Sequence, residues 1–194
     1  MIYRSTVDSP LTPTRGTMYS AMVKLAGGIL GGDIDIIKPT LEFAHYQPFI
    51  AKNVIGFHTQ VQFVTPYGGS MIPYWERSFL GGERSIRGYE VYTIGPRNLQ
   101  VVNMGGEKAF YVNVEYIIPV GGPVYAILFY DVGNSLLASQ NFSIHDLYTS
   151  TGVEARIFVP ALRVPFRLIF AYNNRPVFVN QNNFAFRFAI GTTF

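Results

Sequence analysis

The chain has 194 residues, the length of one domain, and only 14% of them are charged against about 25% in a typical soluble protein. Hydrophobic residues make up 48%, aromatics 15%, and mean hydropathy is +0.19, so the charges are too few to cover a water-soluble surface comfortably. The net charge of +3 is small and spread along the chain, which argues against nucleic acid as a partner, and the absence of cysteine excludes disulfides, thiolate metal sites and a cysteine nucleophile.

No apolar run approaches the roughly 20 residues of a membrane helix. The longest, Val124 to Tyr130, has seven. Apolar residues must therefore be distributed by alternation. The opening Met1-Ile2-Tyr3-Arg4 lacks the apolar centre of a signal peptide. The sequence thus predicts a mature fragment, or a protein whose export signal has been removed.

In chain order, Arg4 to Arg15 reads as a turn, punctuated by Asp8, Ser9, Pro10 and Pro13. Thr17 to Leu25 alternates as a strand, with Tyr19, Ala21, Val23 and Leu25 on one face. Gly27-Gly28 and Gly31-Gly32-Asp33 form a glycine-rich turn. Asp35 to Gln47 is a less regular strand, because Pro39 cannot donate to a ladder. Asn53 to Thr65 places Ile55, Phe57, Val61 and Phe63 opposite His58, Gln60 and Gln62.

A long segment without clean periodicity follows. Such loops are uncommon and are usually functional or disordered. This one carries Tyr74, Trp75, Phe79, Leu80, Ile86, Tyr89 and Tyr92, an aromatic load that a solvated tail lacks. Its centre, Phe79-Leu80-Gly81-Gly82-Glu83-Arg84-Ser85-Ile86-Arg87-Gly88-Tyr89, combines glycine freedom with two arginine forks able to fix a carboxylate. An ordinary surface loop with two solvated arginines is the competing reading.

Alternation then resumes. Lys108 to Val120 sets Phe110, Val112, Val114, Tyr116 and Ile118 opposite Tyr111, Asn113, Glu115 and Ile117. Val124 to Asn134 is nearly all apolar until Asp131. Tyr148 to Val159 sets Val153, Ala155 and Ile157 opposite Ser150, Gly152, Glu154 and Arg156. Val164 to Asn174 sets Phe166, Leu168, Phe170 and Tyr172 opposite Arg167, Ile169, Ala171 and Asn173. Phe184 to Phe194, the most regular run, places its even-numbered residues on one face.

Eight candidate strands of roughly ten residues, each with one apolar face and separated by turn residues, are the signature of an antiparallel transmembrane β-barrel. In lipid every strand edge must be paired, so an open sheet cannot span. A soluble sandwich competes, but its outer faces should be charged. Here the polar faces are mostly small, amide or hydroxyl residues, which suit a lumen. Tyr46, Tyr67, Tyr116, Tyr130, Tyr148, Tyr172 and Phe194 near strand ends suit an interfacial girdle. The sequence therefore predicts an all-β chain, residues 1–194 forming a single transmembrane barrel domain.

No catalytic constellation is present. His45, His58 and His145 lack metal-ligand spacing, the serines lack a nucleophile elbow, and no glycine turn opens a helix to cradle phosphate. The expectation is a protein that is not an enzyme and holds neither cofactor nor metal.

Four stretches resemble, in order, the C-terminal barrel half of the BamA/TamA-type outer-membrane insertase and translocase superfamily. Ile86-Arg87-Gly88-Tyr89, after Phe79-Leu80-Gly81-Gly82, resembles the signature of the family's long sixth extracellular loop. Val114-Glu115-Tyr116 resembles a strand whose glutamate faces the lumen. Phe129-Tyr130-Asp131-Val132-Gly133 resembles the aromatic-any-Asp-any-Gly motif. Phe188-Ala189-Ile190-Gly191-Thr192-Thr193-Phe194 resembles the C-terminal β-signal. Asp8 to Gly16 also looks like the family's mid-barrel turn.

The resemblance implies a bacterial-type outer-membrane location, contact with outer-membrane lipid, and a role in folding and inserting β-barrel clients. A passive membrane barrel and a small pore are the alternatives. The family carries POTRA repeats and sixteen strands, whereas this sequence shows no POTRA segment and only the last eight strands. The chain is therefore expected to close on itself or to pair with another chain, including a homodimer. Arg87 is expected to fold into the lumen and pair with Glu115, Asp131 or both. Phe188, Gly191 and Phe194 are expected to form the closing strand, with Gly191 marking a bend and Thr17 to Leu25 as the nearest partner.

Overall fold

The structure, a computed structural model, describes residues 1–98, 100, 102–159, 164–178 and 182–191. Its strands are β1 Ile2–Ser5, β2 Gly16–Ala26, β3 Ile36–Pro48, β4 Val54–Phe63, β5 Thr65–Pro66, β6 Lys108–Gly121, β7 Val124–Leu136, β8 Tyr148–Val159, β9 Val164–Asn173 and β10 Phe184–Ile190. They pair antiparallel in the order β1-β2-β3-β4-β6-β7-β8-β9-β10, with β5 attached to β3. Among the described residues β1 and β10 are the two ends of the sheet.

The period-2 alternation explains which face is which. Inner-face residues meet across neighbouring strands in rows. One row runs Ala44, His58, Asn113, Asp131, Ser150, Asn173. The next runs Tyr46, Gly56, Glu115, Phe129, Gly152, Ala171 and Ala185. A third carries Val54, Ile117, Ile127, Glu154, Ile169 and Arg187. A core of Ala44, Tyr46, Val54, Ile117, Ile127, Phe129, Ile169 and Ala171 packs on this face. A one-residue slip anywhere would turn a strand's polar row outward, so the register is strongly specified.

The outer face is apolar and open. Leu41, Phe63, Val114, Leu128, Tyr130, Val153, Phe170 and Tyr172 are exposed there, as are Phe184, Phe186, Phe188 and Ile190 on β10. Cross-strand rings cover the junction of β9 and β10: Phe166 with Phe188, Phe170 with Phe186, and Tyr172 with Phe184, at 4.9–5.8 Å between centroids. Exposed apolar residues contiguous over many strands mark a lipid surface rather than a wetted one. Tryptophan placed at Phe186 in the reconstituted protein should therefore be quenched strongly by brominated acyl chains. Tryptophan at Ala185, on the opposite face, should be quenched weakly, and equal quenching at both positions would contradict this division of faces.

Three sequence expectations change. The first strand is β1, not Thr17 to Leu25. Its Ile2–Ser5 pairs with Ala21–Met18, and four exposed residues before a proline-rich turn leave no periodic signal. Tyr46 is not a girdle residue; its position in β3 turns it inward, and it is buried in the core. Of the closing run, β10 extends to Ile190. Gly191 follows with a φ of +121° and donates its N–H to the Pro165 carbonyl at 2.9 Å. Phe194 lies outside the described residues.

The ends of the sheet differ. Residues 49–53 and 122–123 make short turns at one end, where Thr6 to Arg15 is a longer connection. Its Asp8 carboxylate accepts the backbone N–H of Thr14 at 2.9 Å and of Arg15 at 3.3 Å, fixing the turn, while Val7 packs on the inner core. The opposite end carries the connection between β5 and β6, which holds the candidate site.

Candidate functional site

The loop between β5 and β6 is a folded excursion with its own ladder. Ser78 bridges Gly106, Leu80 bridges Ile94, and Arg97 bridges Asn103. Gly82 donates its N–H to the Tyr89 carbonyl at 3.1 Å, closing the tip, and Ser85 Oγ accepts the Gly81 N–H at 2.9 Å. Leu80, Ile86, Tyr89 and Ile94 bury against Ala109 and Tyr111 of β6. The apolar residues that make this loop unlike a solvated one are those that fasten it to the inner wall.

Packing drives the tip onto the charged rows. Arg87 donates from Nε and Nη2 to the two Asp131 oxygens at 2.8 and 2.6 Å, and its backbone N–H donates to Asp131 Oδ2 at 2.9 Å. Nη1 donates to Glu115 Oε1 at 2.6 Å and to Glu154 Oε2 at 3.2 Å. The guanidinium lies over the Phe129 ring, 3.9 Å from its centroid. Gly152 sits beside Phe129 in the row, and a Cβ there would come within 2.9 Å of its ring.

Two further arginines complete the cluster. Arg167 places Nε and Nη2 on the two Glu154 oxygens, both at 2.7 Å. Arg156 donates to Glu154 Oε1 at 2.8 Å and Glu115 Oε1 at 3.3 Å. Arg167 also reaches the Glu83 carbonyl of the loop at 3.3 Å. All six side chains are buried. Three cations face three anions, so the formal charge cancels. That balance matters because an unpaired buried ion is far costlier than a paired one. Bidentate arginine–carboxylate pairs also impose geometry, which makes the cluster a positional lock.

Flanking contacts extend it. Asn113 Nδ2 donates to the Ser85 carbonyl at 2.6 Å, and His58 bridges Asn113 and Glu42 at 3.2 and 3.0 Å. Tyr89 Oη donates to the Thr149 and Arg175 carbonyls at 3.2 and 3.0 Å. Gly88, at φ +86°, presses so close to β8 and β9 that a Cβ would sit 2.5 Å from Asn173 Oδ1 and 2.6 Å from Ala171 Cβ.

The structure thus brings Ile86, Arg87, Gly88 and Tyr89 together with Glu115 and Asp131. Gly133 lies two residues beyond Asp131, opposite Tyr111, where its lack of a side chain admits the β6 backbone: a Cβ would be 2.4 Å from the Phe110 carbonyl oxygen. Phe188 is remote, exposed on the outer face of β10. Sequence reasoning left out Glu154, Arg156 and Arg167. Their inner-face positions were readable from alternation. Their convergence on Arg87 depends on the register of β8 and β9 against β7. Among the described residues no cluster of His, Asp or Glu is placed to hold a metal.

A model of the Omp85 superfamily domain matches residues 1–194. The outer membrane protein assembly factor BamA of Nitratidesulfovibrio vulgaris is 36% identical over 157 residues, covering 79% of this chain and 20% of that protein. The sorting and assembly machinery component 50 homolog of Mus musculus is 30% identical over 100 residues, covering 52% of this chain and 21% of that protein. The crystal structure of BamA from Haemophilus ducreyi lacking POTRA domains 1–3 superposes with a TM-score of 0.79 at 17% identity. It covers 97% of this chain and 40% of that one, a likeness of fold. The chain spans about a fifth of the length of these curated relatives.

Proposed function

The chain belongs to the Omp85 superfamily, with its place in the bacterial outer membrane as part of a β-barrel, and from that premise we propose that it helps fold and insert other β-barrel proteins. At family level the role is barrel assembly, in keeping with relatives named as assembly factors. The finer reading is a templating one. One observation carries it: the loop lock grips β6, β7, β8 and β9, whereas β10 pairs with β9 alone among the described residues. Among the described residues, the outer row of backbone donors and acceptors on β10 has no partner strand. An incoming unfolded strand can add to such an edge by β-augmentation, in which main-chain hydrogen bonds give affinity. No bond chemistry is required, so the reading is not enzymatic. The proposed partners are unfolded barrel clients, lipid around the outer face, and a second chain that completes a larger barrel, a second copy included.

A passive barrel is the alternative. The neutral lock favours it, because a lumen occupied by a fixed loop has no need to move. The deciding experiment reconstitutes the protein in liposomes and times the folding of an eight-stranded client. Acceleration over empty liposomes is expected, and proline substituted for Phe186, which removes a donor from β10, should abolish it. A folding rate equal to that in empty liposomes leaves the passive reading in place.

A further inference from the structure

The loop does more than dock. Between it and the inner wall of β3, β4 and β6 lies a cavity of about 640 Å³ that the arginine lock does not use. Its loop side is aromatic: Tyr74, Phe79 and Tyr92 form a ring ladder with centroids 4.9 and 5.9 Å apart, and Trp75 stands beside them. Trp75 is 71% exposed and Tyr92 66%. Lipid does not account for that exposure, since the cavity's other wall is built from inner-face residues. Large apolar rings left open around a concavity mark a ligand site.

The wall side is polar and only partly satisfied. Gln60 Oε1 accepts the Tyr111 hydroxyl at 3.0 Å, and among the described residues its amide N–H groups have no partner and can serve a ligand. Gln62 donates to Ser78 Oγ at 2.7 Å, and its carbonyl oxygen has no partner among the described residues. Four charged side chains line the space: Lys38, Arg77, Glu83 and Arg84. Lys38 is held by Glu76 at 3.5 Å and Arg77 by Glu107 at 3.2 Å. Arg84 is exposed and carries no hydrogen bond or ion pair among the described residues, although it lies three positions from the buried Arg87.

We propose that this cavity binds an acidic saccharide. Flat rings stack against the C–H faces of a pyranose, and amides that both donate and accept pair with its hydroxyls. The Arg84 fork takes a carboxylate or phosphate in bidentate fashion. A purely apolar ligand would strand the two amides, and a simple anion would leave the ring ladder unused.

Trp75 is the only tryptophan in the chain, so its emission reports directly on this cavity. The detergent-solubilised, folded protein is titrated with a glucuronate-containing disaccharide, with calorimetry alongside. A saturable emission change and matching heat are expected. Arg84→Gln should weaken binding tenfold or more, and Tyr92→Ala should weaken it comparably; both side chains are exposed, so the barrel should still fold. Cellobiose, the neutral comparison, should bind at least tenfold less tightly. Silence in both measurements overturns the proposal, as does an Arg84→Gln protein that binds like the parent. A glutamyl-tyrosine dipeptide that binds more tightly than the disaccharide would make this a peptide site instead. Binding only to the lipid-linked form of an acidic glycan would assign recognition to the outer face, and also overturns it.

Discussion

Arg87→Ala is expected to destabilise the folded barrel by about 3–5 kcal/mol, the usual cost of breaking a buried ion pair from one side. The cost arises from what remains. Among the described residues Asp131 has no other ion-pair partner, so it would be left as an uncompensated buried carboxylate, and Glu115 would keep only Arg156. Loss of the Arg87 guanidinium also empties the space above Phe129. Urea unfolding in detergent, compared with the parent protein, reads the change. Lysine at the same position restores the charge without the fork, so Arg87→Lys should recover only part of the loss. The cleanest check is a double-mutant cycle with Asp131→Asn. Because both variants remove the same contact, the double variant should cost clearly less than the sum of the two. Additive losses would mean that Arg87 stabilises the barrel by some route other than this pair.

Gly88→Ala tests the same lock without touching a charge. The added Cβ meets Asn173 Oδ1 and Ala171 Cβ far inside van der Waals contact, and the φ of +86° is strained for any L side chain. Left-handed strain of about 1–2 kcal/mol and overpacking of about 1–3 kcal/mol together predict a loss of roughly 2–5 kcal/mol. The loop can escape this cost by lifting off the wall. Protease cleavage within residues 82–89 should therefore rise sharply, while cleavage of the strands stays slow. Gly82→Ala is the comparison. Its Cβ would meet the Val91 side chain at 2.9 Å, inside the loop rather than against β8 and β9. If Gly88→Ala leaves the loop as resistant as the parent, the close approach to β9 does not hold it down.

Much of this architecture is legible one strand at a time. Alternation in Lys108 to Val120 already separates Glu115 from Val114 and Tyr116, and burial follows that division. The reason is local: successive Cβ atoms in a strand point to opposite faces, whatever the strand pairs with. The loop's attachment could be anticipated from its aromatic content, because Ile86 and Tyr89 must be buried somewhere. Strand β1 was illegible because four exposed residues carry no pattern. Tyr46 was misassigned because an aromatic near a strand end reads the same inside and out until its face is known.

The amino-acid sequence by itself determined the membrane-spanning β class, the alternation that separates the two faces of most strands, and the expectation that Arg87 pairs with Glu115, Asp131 or both. Each of these follows from the order of residues within one segment or from a recognisable motif. Only the tertiary structure decided that Glu154, Arg156 and Arg167 join the lock. They come from two strands, and one residue of slip would move them away from Arg87. It likewise decided that Arg84 faces a cavity while Arg87, three residues on, is wholly buried. That choice rests on the backbone turn closed between Gly82 and Tyr89, a long-range consequence of how the loop packs on β6.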